Sequence, residues 1–275
     1  MNGKVPSAKL SVGKLFGDWK EPDFPGSVFP VRAECDFKVI DESEDWIVVE
    51  KPAPLAVHPA NGKVEPTLLS GLEELLIYER ANGARLSILT RLDRETSGLV
   101  LVAKNAAAAR HFSFQFQDRR VEKEYLAIVH GWPEWEDLRV EASIIRGGGT
   151  IWLRQVVDPT GRDCVTGFRV ERRFANALGN FSVVRCFPET GRMHQIRVHL
   201  EHAGHPLVGD KIYGTDGSPY LEQIAGGLSD ASVARLILPR HALHACLLAV
   251  EWEGKRVEWK SGLPGDLAAF AGNAG

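Results

Sequence analysis

The chain has no excess of positive charge. Its 275 residues carry 33 Lys and Arg against 36 Asp and Glu, a formal net charge of −3. A nonspecific coat for nucleic acid is strongly basic, so this class is disfavoured. An RNA enzyme whose arginines gather in one cleft is still allowed. Cysteine is scarce as well: Cys35, Cys164, Cys186 and Cys246 are scattered without paired spacing, which suggests neither a disulfide framework nor a C-x-x-C zinc site. No apolar run approaches the length of a membrane span, and the start, Met1-Asn2-Gly3-Lys4, lacks the apolar segment of a signal peptide. A soluble, cytoplasmic protein is the expectation. There is no H-E-x-x-H, no nucleotide-binding motif and no internal repeat.

Against these absences stands an ordinary globular balance, 44% hydrophobic and 25% charged, enough for a sizeable core. The arginines cluster in sequence: Arg91 with Arg94, Arg119 with Arg120, Arg192 with Arg197. The first of these pairs brackets Asp93 in T-R-L-D-R-E-T-S-G-L-V-L-V-A-K, residues 90–104. A Ser97-Gly98 turn is expected there, followed by a continuous apolar run, Leu99 to Val102, that reads as a buried strand. A carboxylate between two arginines, on a loop feeding a core strand, is rigidly placed and biased towards ionisation, which suits a nucleophile or a base. Taken alone, it reads first as a loop aspartate that caps a turn and pairs with its neighbours.

Along the chain, residues 1–35 carry Pro6, Pro22, Pro25 and Pro30 and read as an extension without a domain of its own. Trp46 to Glu50 reads as a strand ending at Lys51-Pro52, where the missing proline N–H breaks a ladder. Leu68, Leu72, Leu75 and Leu76 recur at helical spacing over residues 67–80, with Thr67 as N-cap and Gly83 as stop. Asn105 caps an alanine-rich helix reaching Gln117, and Lys123 to Val129 is strand-like. Residues 139–174 look like β-hairpins, with turns at 147–149 and 158–161 around a strand from Ile151 to Val157. Strands from Phe181 to Phe187 and from Cys246 to Glu251 follow, and the glycine- and alanine-rich tail after Leu263 is expected to fray. In T-G-R-M-H-Q-I-R-V-H-L, residues 190–200, Ile196, Leu200 and Ala203 share one face of a helix ending at Gly204, while His194 and Arg197 share another.

R-L-D-R-E-T-S-G, K-E-Y-L-A-I-V-H-G and T-G-R-M-H-Q-I-R-V-H-L, in that order, closely resemble signatures of the RluA-type pseudouridine synthases. V-V-E-K-P-A-P-L-A-V-H-P, G-R-D-C-V-T-G-F, G-H-P-L-V-G-D with Tyr213-Gly214, and R-H-A-L-H-A extend the likeness to about residues 36–262. The family usually has a histidine where this chain has Thr90, which reads as the loss of a supporting contact rather than of the chemistry. The resemblance implies an α+β fold with a mixed, largely antiparallel central β-sheet, flanked by helices and carrying a catalytic cleft. It also implies a catalytic domain over 36–262 without the N-terminal S4-type domain of many relatives, and isomerisation of uridine to pseudouridine in ribosomal or transfer RNA.

On that reading Asp93 is the catalytic residue, Tyr125 stacks on the target base, and Arg197 pairs with the aspartate. Arg91, Lys123, Arg192, His194 and Arg240 are expected to bind RNA. No cofactor, metal, membrane or DNA is expected, and the chain is expected to be a monomer. Two other classes have a motive in the sequence. A metal-dependent hydrolase is motivated by His194, His199, His202 and His205. A noncatalytic RNA-binding or RNA-folding protein of the same fold is motivated by Thr90.

Overall fold

A computed structural model describes residues 36–59 and 66–272. The expected extension over 1–35 lies outside them. In chain order the first elements are β1 (Lys38–Glu42), β2 (Trp46–Lys51), α1 (Leu68–Leu75), α2 (Ile77–Ala81), β3 (Ser87–Ile88), β4 (Ser97–Ala103) and α3 (Ala106–Gln117). Then come β5 (Glu122–His130), β6 (Asp137–Glu141), β7 (Ile144–Arg146), β8 (Gln155–Val157), β9 (Val165–Asn176) and β10 (Gly179–Pro188). The last are α4 (Gln195–His202), α5 (Ser218–Ala225), α6 (Asp230–Leu236), β11 (Leu243–Trp252), β12 (Lys255–Lys260) and α7 (Gly265–Phe270).

Two compact units form. The first comprises the described residues up to Glu122 together with Leu248–Ser261; the second comprises Lys123–Leu247 and the described residues from Gly262 on. Both are built on strands of a largely antiparallel sheet flanked by helices, as the sequence implied.

In the first unit the strand order is β1-β2-β4, continued by the second half of β11, with β3 also on β4 and β12 on β11. β2 and β4 are antiparallel, from Trp46 opposite Ala103 to Lys51 opposite Gly98. Every residue of β4 is buried, which is why it reads as an unbroken apolar run rather than an alternating one. Ser97 and Gly98 begin this strand instead of forming the expected turn. Gly98 tolerates the positive φ of 116° at the strand's start, opposite Lys51. Trp46, Val48, Leu99, Leu101, Phe112, Leu248 and Trp259 pack into one core cluster. Thr67 caps α1 as expected: its hydroxyl accepts from the Ser70 N–H at 3.1 Å, and the Ser70 hydroxyl accepts from the Thr67 N–H at 2.9 Å. The single helix expected over 67–80 breaks at Leu76 (φ −100°, ψ 32°), which turns into the core while Ile77 and Tyr78 face out.

In the second unit the first half of β11 continues through β5, β10 and β9 to β6, and β7 and β8 form a separate hairpin. α4 lies on the face of β5 and β10 that carries Ala127, Val129, Val184 and Cys186, and it inserts Ile196 and Leu200. The strand expected over Ile151–Val157 shrinks to Gln155–Val157. Ile151 is drawn into a core with Val198, Ile212 and Tyr213, so a turn closes from the Arg154 N–H to the Ile151 carbonyl at 3.0 Å. The tail is ordered further than expected: Leu267 and Ala271 of the α7 segment join Phe181, Val183 and Val208 in a buried cluster.

Candidate active site

Asp93 sits half-buried in the loop that enters β4 of the first unit, flanked by exposed Arg91 and Arg94. The loop is held by backbone from both sides. The Thr96 N–H donates to the Asp93 carbonyl at 3.1 Å, and the Leu55 N–H donates to the Arg94 carbonyl at 2.9 Å. Thr90 is buried, and its hydroxyl accepts from the Leu101 N–H at 2.9 Å. The residue that departs from the resemblance therefore anchors the Asp93 loop to the strand it precedes. Lys51, at the end of β2, is fully buried. Its ammonium donates to the carbonyls of Pro52, Leu55 and Arg94 at 2.9, 2.8 and 3.2 Å. In the sequence Lys51 is a strand end and part of the V-V-E-K-P-A-P likeness. Nothing in that stretch marks its ammonium as buried, since a lysine is rarely fully buried.

Tyr125, in the second unit, lies on β5 opposite Cys186 of β10 and is half-buried against the cluster that includes Ile196 and Leu200. Lys123 stands two residues earlier on the same face of the strand. Burial pushes its ammonium below the ordinary lysine value.

Arg197 is buried on α4. Its Nε and Nη2 donate to the two oxygens of Asp210 at 2.7 and 2.8 Å, and its guanidinium carbon stands 4.9 Å from the ring centre of Tyr213. Asp210 also accepts the N–H groups of Ile212 and Tyr213 at 2.9 and 3.1 Å. Burial alone would raise its carboxyl, but the Arg197 charge and hydrogen bonds, with these amides, bring it down to about 2. His241 beside this pair is held well below the usual histidine value, first by burial and then by Arg197. That Asp210 is the ion-pair partner of Arg197 is not visible in the sequence, because the two stand 13 positions apart, one on α4 and the other beyond its end.

The other expected residues divide. His194 does not share a helix face with Arg197: it is the left-handed N-cap of α4 (φ 57°), with Nδ1 2.9 Å from the Tyr213 hydroxyl. Gln195, the first helical residue, causes this. Its buried amide accepts from Thr190 Oγ1 and the Arg192 N–H, and donates to Val165 O and Thr166 Oγ1, at 2.7 to 3.0 Å. Arg192 is half-buried, with Nε donating to the Asp163 carbonyl at 3.2 Å. Arg240 is buried, and its Nε and Nη2 donate to Asp266 at 2.7 and 3.0 Å, which straps α7 to the segment before β11.

The histidines expected of a metallohydrolase go separate ways. His199 is buried with its ring nitrogens at Thr166 Oγ1 and the Ala142 carbonyl, both at 2.9 Å, and His205 binds the His130 carbonyl at 2.9 Å, while His202 is exposed. Among the described residues no group of three or more His, Cys, Asp or Glu is arranged to hold a metal ion. Cys164, Cys186 and Cys246 are buried free thiols, all raised by burial, Cys246 to about 11.

Comparison with known proteins places these residues in context. The family model described as RNA pseudouridylate synthase matches residues 45–202, a range that contains Asp93, Tyr125 and Arg197. The ribosomal large subunit pseudouridine synthase D of Haemophilus ducreyi is 37% identical, over 93% of this chain and 77% of that protein. Its namesake from Nitrosomonas europaea is 39% identical over 85% of this chain and 64% of its own length. The ribosomal large subunit pseudouridine synthase C of Vibrio cholerae is 36% identical over 77% and 62%. The chain thus spans roughly two thirds to three quarters of these relatives' length. Among solved structures, human RNA pseudouridylate synthase domain containing 1 superposes with a TM-score of 0.66 at 27% identity, covering 90% of each chain.

Proposed function

The chain belongs to the RluA family of RNA pseudouridylate synthases, and from that premise we propose that it isomerises specific uridines to pseudouridine in structured RNA, with Asp93 as the catalytic carboxylate. Large-subunit ribosomal RNA is the favoured substrate, because several relatives at 36–39% identity carry the ribosomal large subunit in their names. The observation that carries the reading is the family match across 45–202, which takes in R-L-D-R, K-E-Y and H-Q-I-R together.

The chemistry suits these side chains. Detaching uracil from ribose builds positive charge on the sugar, as in glycosidases, and a carboxylate stabilises or traps it. Asp93 supplies that carboxylate on a loop pinned by Lys51, Leu55 and Thr90, so little reorganisation accompanies the reaction. Arg197 is assigned the part of counter-charge to this carboxylate by its place in H-Q-I-R. Tyr125 stacks on the detached base, and its hydroxyl takes the C5 proton directly or through water. Arg91, exposed beside the aspartate, fills the vacancy left by the flipped base or holds a phosphate. The isomerisation draws on no external electron carrier or group donor, so this reading requires no cofactor.

The test is to map pseudouridines in ribosomal and transfer RNA from cells with and without the gene, complemented by wild type or Asp93→Asn. A site that vanishes on deletion and returns only with wild type is expected. Restoration by Asp93→Asn would remove Asp93 from the chemistry, and pseudouridines unchanged by deletion would leave a noncatalytic RNA-binding protein of this fold.

A further inference from the structure

The β7–β8 hairpin carries a side chain that neither the core nor the proposed chemistry explains. Trp152 is 68% exposed. Its segment is not loose. On either side of it, Ile151 is buried among Val198, Ile212 and Tyr213, and the Gln155 N–H donates to the Tyr213 hydroxyl at 2.9 Å. The Gly147 N–H closes the loop on the Arg154 carbonyl at 2.8 Å, and the Arg154 side chain reaches Glu201 at 3.5 Å. A loop tied down at these points holds the indole out at a fixed place.

The surroundings of the indole are cationic. The Arg146 guanidinium lies over the Trp152 ring, 3.3 Å from its centre. No carboxylate among the described residues forms an ion pair with Arg146 or with Arg162, whose backbone bridges Ile144 at the hairpin's base. An indole half-covered by a guanidinium has one π-face to give to a flat ring and charge to give to a phosphodiester, and exposed Arg162 adds a second cation at the hairpin's base.

We propose that Trp152 and Arg146 form a platform on which the substrate RNA stacks an unpaired base, with Arg146 and Arg162 facing its phosphates. This rests on the RNA reading above and adds to it a binding element outside the signature motifs. A base stacked on an aromatic side chain contributes about 1–3 kcal/mol, which at 1.4 kcal/mol per tenfold is about 5- to 100-fold in affinity.

The experiment compares wild type, Trp152→Ala and Trp152→Phe for the dissociation constant and for the kcat and KM of pseudouridine formation, all on a large-subunit ribosomal RNA transcript. Melting temperatures confirm that the variants fold, since an exposed side chain contributes little to the core. The expected result is a 5- to 100-fold rise in Kd and KM for Trp152→Ala, little change in kcat, and most of the affinity kept by Trp152→Phe. Equal binding by Trp152→Ala and wild type, a loss confined to kcat, or no binding by any of them would overturn the platform. Binding without pseudouridine formation by wild type overturns the isomerase assignment instead, and the Kd comparison still judges the hairpin.

Discussion

Lys51 is the residue on which the placement of Asp93 most depends. Its ammonium has left water entirely, and its three carbonyl partners belong to two loops: Pro52 and Leu55 follow β2, while Arg94 adjoins Asp93. Replacing it with methionine keeps the stem's volume but removes the donor from the buried Leu55 carbonyl, at about 1–3 kcal/mol, while the Arg94 carbonyl keeps the Leu55 N–H. Lys51→Met should therefore lower unfolding stability by about 1–3 kcal/mol in urea denaturation. Catalysis should fall with it even where the variant is folded, because the aspartate loop loses its tie. Full activity and unchanged stability would show that the loop is held by other means. Asp93, Tyr125 and Arg197 were legible as candidates from their motifs; Lys51 and Asp210 as their supports were not. A motif records which residues are present, and a support is defined by what its atoms reach.

Among the elements, α3 shows how much a cap decides. Asn105 Oδ1 accepts from the Ala108 N–H at 2.9 Å, and its Nδ2 donates to Asp45 at 2.7 Å, so one amide starts the helix and ties it to the turn before β2. Asn105→Ala should cost about 1–2 kcal/mol, the upper part of the range for lost caps, because both bonds go. Asn105→Asp should keep the cap but set a second carboxylate against Asp45. Denaturant midpoints for the two variants check this, and no change with alanine would sink it. This cap, the Thr67 cap and the β4 run were all readable because they depend on neighbours within a few positions. The break at Leu76, the shortened β8 and the ordered α7 were not. Each is decided by a side chain (Leu76, Ile151 and Leu267) entering a core built by distant parts of the chain.

At the scale of the whole molecule, buried ionisable groups make folding depend on pH. Burial lowers His130, His199 and, most strongly, His241. Each is neutral in the fold, whereas the unfolded chain takes up the proton near pH 6.5. This stabilisation is complete above about pH 6.5 and is lost as pH falls towards the depressed folded values, His241 alone contributing a slope of up to about 1.4 kcal/mol per pH unit. Asp210, held at about 2, adds a second loss that begins below about pH 4, its unfolded range, and is complete once pH has passed through its folded value. Denaturation midpoints should fall between pH 7.5 and 5, with His241→Gln flattening that limb and Asp210→Asn flattening the more acidic one. A midpoint flat from pH 7.5 to 5 would mean that the histidines are not buried in the neutral form.

The sequence by itself determined the order of motifs, the α+β class, most strand and helix starts and the identity of the carboxylate to test, because local periodicity, capping and motif wording are properties of short windows. Tertiary structure alone decided that Arg197 pairs with Asp210, that Arg240 straps α7 through Asp266, and that His194 leaves the helix for Tyr213. Those pairings span 13, 26 and 19 positions. An ion pair or hydrogen bond between such groups depends on which atoms meet once water is excluded, and nothing within a short window carries that information.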